Sequence, residues 1–164
     1  MFRLIFLLLL LNFHQPVFTT EDTISQAVAR YLNRIHKYME EEDWINAERE
    51  LKQTARRYFK NEDSYERALI NQLYGQFFAL QRDYKNAIPW FEKAIAKGRL
   101  PFAADLQVSY SLAQCYFQTG NYKDVIDTLE NYRIKASKRG QNMAPVQLMV
   151  LGIAYFQEQD ISNA

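Results

Sequence analysis

Tyr74-Gly75-Gln76-Phe77-Phe78, then Asp83-Tyr84-Lys85-Asn86-Ala87-Ile88, then Phe91 and Ala94: this stretch decides the fold. Apolar residues recur in it three and four positions apart, the period of a helix with one buried face. The break at Asp83 is a helix-start signal, because a short acidic side chain can take the free N–H groups of a first turn. Two antiparallel helices joined by a short turn follow. Gly75 is small where the first helix crosses the second, and Ala87 and Ala94 are small on the second. Small residues let the backbones approach, and bulky rings are expected beside them, with Phe78 placed to fill the gap.

The unit recurs. Leu112-Ala113-Gln114-Cys115-Tyr116 is followed by Gly120-Asn121-Tyr122-Lys123-Asp124-Val125-Ile126, then Leu129 and Tyr132. Another copy opens at Leu151-Gly152-Ile153-Ala154-Tyr155, continues through Asp160-Ile161 and reaches Ala164. A weaker copy carries Tyr38, Asp43-Trp44-Ile45-Asn46-Ala47 and Leu51. In these copies Tyr116 and Tyr155 take the place of Phe78. Ala47 to Ala87 is 40 residues, Gly75 to Ala113 is 38 and Ala113 to Gly152 is 39. Each pair can bury only one of its two apolar faces alone, so pairs must stack.

These residues resemble the signature of the tetratricopeptide repeat (TPR), L-G-x-x-Y, then G-x-Y-x-x-A, then F-x-x-A, over about Val28 to Ala164. The resemblance implies an all-α fold, a TPR-type solenoid of helical hairpins wound into a right-handed superhelix. Repeats are expected at about 28–61, 68–101 and 106–139, with an incomplete one at 145–164, inside a domain spanning 20–164. The TPR unit is about 34 residues, so the spacings here predict longer connections between pairs. Lys135 to Pro145, with Gly140 and Asn142, is expected to be the longest. Asp83 and Asn121 are candidate caps and Gly120 supplies a tight turn. Pro101 and Pro145 sit where first helices begin. Pro89 falls about a turn into a second helix and predicts a bend or a late start.

With 48% hydrophobic and 15% aromatic residues and only 5 Gly and 4 Pro, the composition disfavours disorder and favours a packed helical fold. Lys and Arg number 20 against 19 acidic residues. A near-neutral chain has no electrostatic footprint for nucleic acid or an anionic membrane. The clusters Arg56-Arg57-Lys60 and Arg133-Lys135-Lys138-Arg139 form no continuous stripe and read as solvated helix ends and a loop.

Met1-Phe2-Arg3 is a short basic start, and Leu4 to Phe13 is an almost unbroken apolar run. That run is shorter than the roughly 20 residues needed to cross a bilayer, and it matches the apolar region of an export signal. Residues 1–19 are therefore expected to be a signal peptide cut after Thr19, which places the chain in the periplasm or outside the cell. The alternative is an uncleaved membrane anchor.

Catalytic groups are scarce. His14 lies in the leader and His36 stands beside Lys37; Cys115 is the single cysteine, so no internal disulfide forms. A structural zinc site needs about four Cys/His ligands. Glu40-Glu41-Glu42-Asp43 is a charge run at a turn without the alternating oxygens and central Gly of a calcium loop. The Gly residues are scattered singly, so no phosphate loop is present. The expectation is a non-enzyme without cofactor or metal.

In TPR proteins the first helices line a concave groove, and the resemblance carries that role to this chain. By register the groove includes Leu69, Gln72, Gln76, Leu80, Gln107, Tyr110, Gln114, Phe117, Gln118, Met149, Ile153 and Phe156. Amides and rings without charge suit a neutral peptide or helix as partner; the alternative for Phe117 and Phe156 is packing against neighbouring helices. The chaperone-binding TPRs hold a terminal carboxylate with Lys and Asn, and this face has no Lys or Arg, so that mode is not expected. Tyr65-Glu66-Arg67-Ala68-Leu69, Ala87 to Ile95 and Ser111-Leu112-Ala113-Gln114 resemble periplasmic TPR proteins associated with TonB-dependent energy transduction, which implies a partner in an envelope transport complex. Two other readings stand beside this adaptor: an envelope assembly factor binding through a terminal or convex face, and a non-catalytic part of a longer enzyme. Val146, Met149, Val150, Ile153 and Phe156 are expected to face solvent or another molecule, through truncation of the array or docking of a second copy.

Overall fold

A computed structural model describes Ile24 and residues 26–58 and 64–162. The leader expected over residues 1–19 lies outside the described residues, as do Lys60 and Ala164. The elements are α1 (Gln26–Glu40), α2 (Trp44–Tyr58), α3 (Tyr65–Leu80), α4 (Tyr84–Ile95), α5 (Phe102–Gln118), α6 (Tyr122–Ser137) and α7 (Pro145–Ser162), with no strand among the described residues. Each helix packs on the next in chain order. Short turns close the pairs α1–α2, α3–α4 and α5–α6 at residues 41–43, 81–83 and 119–121. The connections at 96–101 and 138–144 are longer, as the wide repeat spacing requires.

One turn is used three times. Met39, Ala79 and Phe117 carbonyls accept from the N–H groups of Glu42, Arg82 and Gly120, and Tyr38, Phe78 and Tyr116 carbonyls accept from Asp43, Asp83 and Asn121. This double bond pattern ends a helix on one residue in the left-handed region. That residue is Glu42 (φ 56°), Arg82 (φ 62°) or Gly120 (φ 77°). The next helix starts at once. Asp43 and Asp83 cap it by accepting from the N–H of Asn46 at 3.1 Å and Asn86 at 3.3 Å. Asn121 occupies the same place but makes no side-chain cap bond, contrary to expectation.

The core alternates small and bulky residues between the helices of a pair. Ala47, Ala87 and Val125 are fully buried on the second helices, and one turn later Leu51, Phe91 and Leu129 are buried as well. Ile35, Gly75 and Ala113 stand at the matching place on the first helices, all buried. The ring that fills the Gly75 notch is Phe91: a Cβ on Gly75 would meet it at 2.5 Å. Phe78 does not fill that notch and is half-buried against Phe77, because a residue three positions along the same helix points beside the notch rather than into it.

Three further expectations change. α4 begins at Tyr84 and runs through Pro89, so there is no late start. Lys135 is helical, and the last long connection begins at Lys138. Val150 does not face solvent: it is buried together with Leu151 and Ala154, on the side of α7 that meets α6.

Polar links tie consecutive helices. Arg34 pairs with Glu50 at 3.1 Å between α1 and α2, and Lys135 pairs with Asp105 at 2.6 Å between α5 and α6. Between α4 and α5 the Tyr116 hydroxyl donates to Glu92 at 2.5 Å, and between α6 and α7 the Gln147 amide donates to the Tyr132 oxygen at 3.1 Å. The basic cluster near the end of α6 is absorbed here, with Arg133 on Glu130 and Arg139 over the Phe102 ring.

Candidate functional site

The residues expected to line a groove lie on one register of the first helices, α3, α5 and α7, but packing treats them unequally. Gln72, Gln76 and Gln114 are only 9%, 4% and 5% exposed, and Leu69 is buried too. These four are not open surface as the sequence led us to expect; they sit within the packed array. Leu80, Gln107, Tyr110, Phe117 and Ile153 are half-buried, and Gln118, Met149 and Phe156 are exposed. The reachable part of the face therefore runs along α5 and α7.

Buried polar atoms without partners lie on α2, α3 and α5. Gln72 Oε1, Tyr110 OH and Gln114 Nε2 are buried and unbonded, as are Asn71 Oδ1 and Thr54 Oγ1. Burial pushes the Tyr110 phenol pKa above its usual value. The Gln114 amide, one turn along, opposes that shift but does not reach hydrogen-bonding geometry. A buried polar group left unbonded costs about 1–3 kcal/mol. Three of the five belong to the groove register.

His36, on α1 and half-buried, has its pKa pushed below the usual imidazole value by burial, with Glu40 opposing. The Cys115 thiol is buried and pushed up to about 12. A thiol held protonated is a poor nucleophile. Among the described residues no group of three or more His, Cys, Asp and Glu is placed to hold a metal, and no helix is long and apolar enough to cross a membrane.

A second feature went unnoticed in the sequence. A cleft of about 300 Å³ opens where the start of α2 meets the end of α3, lined by Trp44, Ile45, Glu48, Phe77, Phe78, Gln81 and Asp83. Trp44 and Phe78 each stand edge-on to Phe77, with centroids 6.0 and 5.3 Å away. The signal was in the copies: Ile45 stands where the later pairs have Lys85 and Lys123.

Residues 80–144 match the family model of anaphase-promoting complex, cyclosome, subunit 3, a TPR-like repeat. The matched span takes in α4, α5 and α6. Over this span the chain carries TPR-like repeats. No curated protein matches it. Over the matched span the TPR signature coincides with the helix pairs described above: Ala87, Phe91 and Ala94 are the buried second-helix residues, and Ala113 and Tyr116 their buried first-helix counterparts. TPR-like repeats generally bind proteins or peptides, and the match suggests a scaffold for protein–protein interaction.

Proposed function

We propose that this chain is an exported adaptor that holds a neutral segment of another protein along the first-helix face of α5 and α7. The observation that carries this reading is the composition of the reachable face. Gln107, Tyr110, Phe117, Gln118, Met149, Ile153 and Phe156 include no charged side chain, on a chain that is 24% charged overall. Rings and thioethers supply apolar area, and amides can bond a guest backbone. The unbonded Tyr110 and Gln114 atoms favour the same face, since rotation of either side chain toward a guest would satisfy them.

Export rests on residues 1–19, a short basic start and an apolar run. The link to TonB-type transport has weaker support. Ala87, Phe91, Ala94, Leu112 and Ala113, which carry much of that resemblance, are buried packing residues needed by any such helix pair. We therefore leave the partner's identity at a neutral polypeptide segment.

Photocrosslinking tests the reading. A benzoylphenylalanine placed at Gln118 or Phe156 should form adducts with envelope proteins, and one placed at Lys52 should not. Adding Tyr110→Ala to the Gln118 probe should lower adduct yield at least about fivefold with helicity unchanged. Equal yields at all three positions would defeat the proposal.

A further inference from the structure

The three complete helix pairs share one plan at the start of their second helix, and the first pair breaks it. Two residues after the capping position stand Ile45, Lys85 and Lys123; five residues after it stand Glu48, Ile88 and Ile126. In the later pairs the lysine is exposed and the isoleucine packs against the core. In the first pair the two characters are exchanged across one turn. Ile45 is 80% exposed, while half-buried Glu48 takes the place of the isoleucine. The cleft lies here. A single exposed isoleucine needs no explanation. An exposed isoleucine bordering a cleft, beside a carboxylate at a site that is apolar elsewhere in the array, is a departure the fold does not use.

The cleft's chemistry selects its occupant. Its walls are the rings of Trp44, Phe77 and Phe78, and its polar lining is Glu48, Gln81 and Asp83. At about 300 Å³ it is at the lower limit of ligand pockets, with room for one large apolar side chain rather than a cofactor. Glu40, Glu41, Glu42 and Asp43 run directly into Trp44. The bases near them are Lys37 on Glu41 at 3.7 Å, Lys52 on Glu48 at 2.7 Å, Arg49 beside Asp43, and Arg82 and Lys85 on either side of Asp83. Those six carboxylates outnumber these five bases, and the two lysine pairs are exposed, so an incoming cation can replace them at little cost. The same sign of charge repels nucleic acid and anionic lipid.

We propose that this cleft is a second docking site, separate from the groove, for a protein segment with one bulky apolar residue flanked by Lys or Arg. The apolar residue enters between Trp44 and Phe78 beside Ile45, and the flanking bases meet Glu48 and the Glu40–Asp43 turn. None of the cleft residues belongs to the groove register, so the two sites can be occupied independently.

The test uses the full chain and a fluorescein-labelled heptapeptide, Lys-Arg-Gly-Leu-Gly-Lys-Arg, followed by anisotropy at low salt. The expected result is saturable binding that weakens at least tenfold in Ile45→Lys and in Glu48→Ile, which restore the residues of the later pairs. Tyr110→Ala, which disturbs the groove, should leave it unchanged. Circular dichroism with thermal melting keeps the variants interpretable: both should remain folded, and Glu48→Ile should melt no lower than the parent. The proposal is overturned by the absence of binding up to about 1 mM peptide. Equal binding of a twin peptide with Glu in place of each base would overturn it, as would retained affinity in folded Ile45→Lys and Glu48→Ile. Binding of free indole as tight as the peptide would make the cleft a small-molecule pocket and defeat it as well.

Discussion

Gly75 and Gly152 hold the same place in their helices, but among the described residues only Gly75 has a side chain against it. A Cβ on Gly75 would meet Phe91 atoms at 2.5, 2.6 and 2.8 Å, and one on Gly152 would meet nothing within 4 Å. Gly75→Ala in the 164-residue chain should therefore destabilise by about 1–3 kcal/mol through overpacking. Gly152→Ala should stabilise by about 0.5–1 kcal/mol, the ordinary preference of a helix interior for alanine. Urea midpoints of the two variants check both signs; a Gly75→Ala midpoint at or above the parent's would show that the ring can move aside. The small residue at this place was legible in the sequence because it recurs. The identity of its filler was not, because Phe78 and Phe91 are both rings at helical spacing. Only the direction of the notch distinguishes them.

The hairpin turn is the element that makes the pairs alike. Its left-handed residue is a glycine in the third pair and Glu42 or Arg82 in the others. A residue with a Cβ pays about 1–2 kcal/mol there. Arg82→Gly should recover part of this and stabilise by roughly 0.5–1 kcal/mol, the rest being offset by the greater freedom of glycine in the unfolded chain. Gly120→Val should lose about 1–2 kcal/mol or more, since a β-branched residue fits this region worst. Thermal melts of the pair suffice, and a stabilised Gly120→Val would refute the assignment. Gly120 announced its turn in the sequence; Glu42 and Arg82 could not, because neither residue type prefers that conformation and the flanking hydrogen bonds impose it. The face expected to line a groove shows a similar division. Register put Gln72, Gln76 and Gln114 on the first-helix face, but burial depends on how closely one pair lies against the next. Helical periodicity carries no measure of that.

At the scale of the molecule, contacts run from each helix to its chain neighbours, so stability accumulates along the array. α3, α4 and α5 have packed helices on both sides and hold many of the fully buried residues, including Ile70, Ala87, Phe91, Ala94, Val108 and Ala113. α7 packs on α6 and leaves Leu148, Met149, Tyr155 and Phe156 between 43% and 61% exposed. Hydrogen exchange should accordingly be slowest in α3 to α5 and faster in α7, in graded steps rather than one global opening. Uniform protection across the helices would mean that the array opens as a single cooperative unit.

Cys115 has a practical consequence. The chain's only thiol is enclosed in the core and stays protonated at neutral pH, so maleimide dyes should pass it by. A cysteine introduced at any exposed position can then be labelled selectively in the otherwise natural protein. A fluorophore at Gln118 and another at Lys85, exposed and outside the cleft lining, in separate preparations, would let occupancy of the two proposed sites be followed apart.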